Sequence, residues 1–466
     1  MGISKILSNR VKGISSVISA VLINLLTGSV FAFPNLITIY QKFTDDKFEK
    51  TQLFFVAPTA IFILNSLPSV TGFLDDKFGV RVLTIVGSLC LLSSQLIMYF
   101  FKNYILLIIS YALFGLCGSL TYLQSLKNCW KYFPNKKGLI SGIIFSSFGL
   151  SAFIFTTIGD AISKQMGQTP ECFKLYLQIF ITCIIYMTTI SSFLSFPFKK
   201  EEQYLESLPI VPNEDNYEEK NSDKKEGNND NMKKDDKENE NLTLKESILS
   251  LDFFLCLTIA SCTLIFGFLL ANTYRSFGET SFVKKDQKKE DNDYFTGCLQ
   301  TLSKVFTLLN TFSRLVWGYL SDKIRFKILY IIVCINQLIC GSLIYFSSGN
   351  IVTYFIVVNL GVLSFSGHVI LFPTLIHTKF GVENSVYLLG ICGIFVGTAA
   401  LVGPVITIFV LNDDDRRKYL LLYVIGAAPT IISLIITLFI KVERKQKKKT
   451  KSVADNYDDE EDDLTN

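Results

Sequence analysis

Charge is what this sequence lacks over most of its length. Only 18% of its 466 residues are Asp, Glu, Lys or Arg, 49% are hydrophobic, and mean hydropathy is +0.37. A soluble chain of this size needs more charge than that to cover its surface. Other absences narrow the class. The eleven cysteines form no Cys-x-x-Cys pair and no Cys/His cluster; most stand singly in apolar runs, as Cys90, Cys117, Cys183, Cys334 and Cys392 do. They read as small buried hydrophobes, and no metal site is expected. Neither a phosphate-cradling glycine loop nor a nucleophile elbow is present, which argues against a nucleotide-driven pump, an enzyme or a bound cofactor. The net charge of +4 is too small to suggest a nucleic-acid partner.

What is present is a series of long charge-free runs. In the first half they cover 14–40, 51–74, 82–101, 103–126, 138–159 and 175–198. In the second they cover 253–274, 328–346, 351–376, 384–411 and 419–440, joined by 294–320, which carries Lys304 and Arg314. A helix needs about 20 apolar residues to cross the hydrocarbon core, and its backbone must satisfy its own hydrogen bonds there. The runs therefore predict an all-α integral membrane protein with twelve transmembrane helices in two six-helix bundles, 1–198 and 248–441. The first run is long enough to span, so it is read as helix one and not as a cleaved signal.

The polar stretch 199–247, centred on EEKNSDKKEGNNDNMKKDDKENE, has almost no apolar anchor and reads as a disordered linker. The tail 442–466 reads the same way, with seven basic residues from Lys441 to Lys451 followed by an acidic end. Both termini and the 2–3, 4–5, 8–9 and 10–11 loops carry the larger share of Lys and Arg. The positive-inside rule then places the termini and the linker in the cytoplasm.

The halves repeat at an offset of 246 to 248 residues. Gly72-Phe73-Leu74-Asp75-Asp76-Lys77-Phe78-Gly79-Val80-Arg81, between helices two and three, matches Gly318-Tyr319-Leu320-Ser321-Asp322-Lys323-Ile324-Arg325, between eight and nine. Gly115 pairs with Gly361, Gly142 with Gly390 and Gly149 with Gly397, small residues of the kind that let membrane helices approach closely. In the first copy, Gly72, Asp76, Lys77, Gly79 and Arg81 resemble the loop 2–3 signature of the major facilitator superfamily. Gly318, Asp322 and Lys323 keep that pattern in the second copy, where Arg325 replaces the second glycine. The resemblance implies a transporter that alternates its access, with these residues latching the cytoplasmic side when it faces outward. The copy that keeps both glycines is expected to be the stronger latch, so Asp76 is expected to matter more than Asp322.

Three further segments resemble the monocarboxylate, oxalate/formate and nodulin-like branch. They are Gly28-Ser29-Val30-Phe31-Ala32-Phe33-Pro34-Asn35 in helix one, Tyr132-Phe133-Pro134-Asn135-Lys136-Lys137 entering helix five, and Asn310-Thr311-Phe312-Ser313-Arg314-Leu315-Val316-Trp317-Gly318 in helix eight. Asn35 stands where that pattern has Lys, and Asn310 where it has Asp. Those family positions are associated with proton coupling, so this chain is expected to move its substrate by facilitated or exchange-driven transport.

Arg314 is the leading substrate-binding residue. A guanidinium in mid-membrane costs about 2.5–3.5 kcal/mol on insertion scales, so it needs a cavity and a partner. Its bidentate fork suits a carboxylate. Asn310 and Thr307 share its helical face, and Asn35 and Phe31 of helix one are further substrate-binding candidates. The alternative is a structural Arg bonded to carbonyls near the latch. Lys304 is read as snorkelling to the interface, His368 as a candidate proton site in an apolar helix, and His377 as uninformative. The implied partners are the bilayer and a small, anionic substrate, carried by a monomer in the plasma membrane or an organelle membrane. An amino-acid or other polar-metabolite carrier, and a receptor that does not transport, remain the alternatives.

Overall fold

A computed structural model describes residues 8–198 apart from 54 and 168, then 243–283, 288–411 and 417–440, with the side chains of 35, 50, 51, 399 and 402–411 not among them. The predicted linker centre and tail lie outside the described residues. Everything described folds as helices and short connections, with no strand among those residues.

Helix one runs through Asn9–Thr27, a 3-10 turn at Gly28–Ala32 and then Phe33–Phe43. Pro34 lacks the N–H that would continue an unbroken α-helical ladder at this point. Helix two is a bent pair, Val56–Ser66 and Pro68–Phe78, turned by 54° at the proline. Helices three to six are Val80–Phe100, Tyr104–Tyr132, Lys137–Met166 and Pro170–Leu194. Helices seven to nine are Leu251–Phe282, Lys289–Lys323 and Phe326–Ser347. Ten and eleven lie within Ile351–Leu411, divided at Gly381, whose φ of +82° suits glycine. Helix twelve is Arg417–Ala427 continued by Pro429–Phe439.

Two boundaries differ from the sequence reading. The linker ends sooner: Thr243 caps a short helix, Leu244–Leu249, through a capping box with Glu246, so 243–247 are ordered. The connection between helices seven and eight is also shorter than its charges suggest. Helix seven continues to Phe282 with an Arg275–Glu279 pair at 3.0 Å, and helix eight already starts at Lys289. Charge-free runs mark only what lipid covers, whereas these helices project beyond it.

Helix nine exposes Ile328, Ile332, Ile335, Ile339, Leu343 and Phe346 at helical spacing, and helix three exposes Val82, Ile85, Leu89, Leu96 and Phe100. Stripes this large would drive association in water and belong against acyl chains. Inside, one apolar cluster fills the N-terminal half around Phe33, Tyr40 and Phe173, and another fills the C-terminal half around Phe277, Tyr354 and Tyr423. A third joins the halves, packing Trp130, Ile144 and Phe145 with Phe253, Tyr330 and Leu371.

Candidate functional site

The halves meet along two helix pairs that the repeat exchanges. Helix five packs on helix eight: a Cβ on Gly142 would lie 2.8 Å from the Arg314 carbonyl oxygen, and one on Gly318 only 2.4 Å from the Gly138 carbonyl oxygen. Helix two packs on helix eleven in the same way, where a Cβ on Gly390 would lie 2.2 Å from the Ser69 nitrogen and one on Gly393 2.0 Å from the Asn65 carbonyl oxygen. Glycine is needed at these points because backbone, not a movable side chain, occupies the space.

Arg314 lies in the first seam, only 6% exposed. Its Nη1 donates to the Phe145 carbonyl oxygen of helix five at 2.7 Å. Its Nε is buried with no hydrogen-bond partner, and no carboxylate pairs with it among the described residues. The Asn310 Oδ1, one turn away, is likewise buried and unpaired. Thr307 donates to the Ser303 carbonyl of its own helix. Phe31 reaches the same place from helix one: its ring meets Phe148 edge-on at 5.7 Å, and Tyr122 of helix four packs between Phe148 and Phe145 at 5.2 and 5.0 Å. Arg314 and Phe31 thus each touch the chain of rings Phe145–Tyr122–Phe148, Arg314 through the Phe145 carbonyl and Phe31 through Phe148, while the described contacts of Thr307 stay within its own helix. The Asn35 side chain lies outside the described residues.

His368 is elsewhere. It is fully buried in helix ten inside the C-terminal half, its ring 5.1 Å from that of Tyr330, with both ring nitrogens unpaired. Lys304 is exposed, in keeping with snorkelling.

The repeated loops, expected to latch the halves, build two different polar clusters between them. In the first, Lys127 of helix four is the hub. Its side chain is 2% exposed, and its Nζ lies 2.7 Å from Asp76, 3.4 Å from Asp75 and 3.5 Å from Glu383 of helix eleven. Lys131 adds a 2.9 Å bond to Glu383, and the Tyr387 hydroxyl donates to Asp76. In the second, Asp322 accepts from the Gly138 and Leu139 N–H groups at 2.7 and 2.8 Å, capping the free donors of helix five.

Several motif residues act differently from the expected latch. Lys77, Arg81 and Lys323 are exposed, Lys77 lying over the Phe78 ring and Lys323 bonded to Tyr319. Gly79, with φ +80°, makes the turn, while Gly72 is helical and clears space for the Tyr387 ring. Sequence reasoning missed Lys127, Glu383 and Tyr387. A lysine just past the end of a charge-free run was the one available signal, and it reads equally well as an interface residue.

The family model of the Major Facilitator Superfamily matches residues 17–404. The "Uncharacterized MFS-type transporter YhjX" of Escherichia coli (strain K12) is 25% identical over 318 residues, 68% of each chain. Among solved structures, the proton:xylose symporter XylE bound to 6-bromo-6-deoxy-D-glucose superposes with a TM-score of 0.69 over 93% of this chain and 97% of its own, at 12% identity.

Proposed function

The chain belongs to the major facilitator superfamily, and from that premise we propose that it carries a small organic anion of the monocarboxylate kind. By fold and family it is a multi-pass secondary transporter and not an enzyme. The observation that supports an anion is Arg314. A buried guanidinium without a carboxylate partner, with a spare Nε donor, is completed by a ligand that brings its own negative charge. Asn310, Thr307 and Asn35 are the neutral groups assigned to orient it, and Phe31 contributes to the apolar wall.

One observation favours a second reading, an amino acid. The Asn310 Oδ1 is a buried acceptor without a donor, which an ammonium group one turn from the carboxylate would supply.

The termini and linker are assigned to the cytoplasm and the working unit to a monomer. With Asn310 in helix eight and Asn35 in helix one, transport is assigned as facilitative or exchange-driven, leaving His368 as the residue that would carry a proton if coupling exists. Counterflow in proteoliposomes tests the substrate class with monocarboxylates, dicarboxylates, amino acids and a hexose. Carboxylates should exchange and the hexose should not. Exchange of the hexose alone would overturn the anion reading, and silence throughout would favour a receptor.

A further inference from the structure

The two latches grow from the repeated loops, and one contact in each differs in chemistry. Lys131, closing helix four, pairs with Glu383, opening helix eleven, at 2.9 Å. In the other latch, His377, 246 residues after Lys131 and closing helix ten, faces Lys137, which opens helix five. These also meet, with 2.6 Å between the Lys137 Nζ and the His377 Nε2. An attractive cation–carboxylate pair in one latch is thus a cation–imidazole pair in the other.

An ammonium at that distance donates, so Nε2 must be the bare acceptor nitrogen of a neutral ring. A proton on Nε2 removes the acceptor and sets two positive charges against each other across the seam between the halves. The surroundings offer little relief. From helix four, the Trp130 ring lies 4.8 Å from the His377 ring, and its Nε1 donates to the Ser141 hydroxyl. From helix eight, Asp322 lies within electrostatic reach of Lys137, with its oxygens engaged by Gly138 and Leu139. Lys379, on the same helix as His377, is bound to Asp252 of helix seven at 2.6 Å. His377 is 7% exposed, so water does not screen the pair well.

We propose that the His377–Lys137 contact is a pH-sensitive catch that holds this face closed while the imidazole is neutral and releases it when the imidazole takes a proton. The sign follows from linkage. The open state, with the halves apart, accepts the proton more readily than the closed state, so closure is most favoured at neutral pH and above. It weakens as pH falls below about 6.5, the ordinary imidazole value, by up to roughly tenfold per pH unit. The first latch is built from carboxylates, lysines and a tyrosine, with no imidazole among its described contacts.

The catch can be tested without knowing the substrate. Spin labels at the exposed positions Asn135 and Arg325, one in each half, report the separation at this face in the full-length protein in nanodiscs. A bio-orthogonal attachment avoids the eleven native cysteines. Between pH 7.5 and 5.5 the closed-to-open ratio should fall about tenfold. In His377→Gln, which keeps an acceptor but cannot be protonated, the ratio should stay constant. Lys137→Gln removes the opposing charge and leaves only the burial of the ring to disfavour the proton, so the response should shrink even if the His377 variant folds poorly. A wild-type ratio that does not change with pH, or a response that survives intact in either variant, would overturn the proposal.

Discussion

Asp322 of the C-terminal half caps a helix that belongs to the N-terminal half, accepting from the Gly138 N–H at 2.7 Å across 184 residues of sequence. Its second oxygen takes the Leu139 N–H at 2.8 Å. The bond exists only while the halves are together at this face, so it stabilises the closed arrangement directly and the fold of either half little.

Reading the motif alone ranks Asp76 above Asp322, and the contacts argue for testing the opposite order. Asp322→Asn should shift the protein toward the open arrangement more than Asp76→Asn, because an amide supplies one acceptor where two N–H groups need one each. Losing a cap costs about 0.5–2 kcal/mol. Asp76 has a neighbour, Asp75, 3.4 Å from the same lysine, that can take its place. Spin-label distances across the face measure both. Equal shifts would mean the two latches share the load evenly.

Lys127→Met should destabilise the protein, because three carboxylates then converge on an apolar end. A fully buried pair loses about 3–5 kcal/mol when one partner is removed; about 2–3 kcal/mol is expected here, since Asp76 and Glu383 side chains are 50% and 64% exposed. Combining Lys127→Met with Asp76→Asn should recover part of the loss in thermal unfolding. Additive losses would show that the residues do not act as one cluster.

Arg314→Gln should lower anion exchange by about 10- to 150-fold, the equivalent of about 1.5–3 kcal/mol for a charged hydrogen bond, with the protein still in its membrane. Arg314→Lys should keep part of the rate, since it retains the charge and loses the fork. Loss of abundance with normal exchange per surviving molecule would assign Arg314 to structure, through its bond to the Phe145 carbonyl.

Gly393→Ala should hinder closure of helix two on helix eleven. The added carbon would fall 2.0 Å from the Asn65 carbonyl oxygen, and overpacking of this kind costs about 1–3 kcal/mol. Gly79→Ala meets no atom within 4 Å but must adopt φ +80°, so its cost should be backbone strain and should not affect packing between halves. Thermal stability and label distances separate the two effects. A pattern in which both variants shift the distance alike would overturn this distinction.

The sequence by itself determined what depends on local patterning. Charge-free runs located eleven of the helices, because lipid demands apolar length wherever the backbone crosses it, and helix eight was read through its Lys304 and Arg314. The repeat located both copies of the loop motif, and an arginine inside an apolar run marked Arg314 for attention. Tertiary structure alone decided who meets whom. Lys127 gathers Asp75, Asp76 and Glu383, Tyr387 reaches Asp76, and His377 meets Lys137, all at the docked face between two halves. Side-chain periodicity records which face of a helix is buried, but not which residue of a distant helix comes to lie against it. The asymmetry of the latches was hidden for the same reason: the two copies look alike along the chain, and only the packing of helix five against helix eight turns one aspartate into a helix cap.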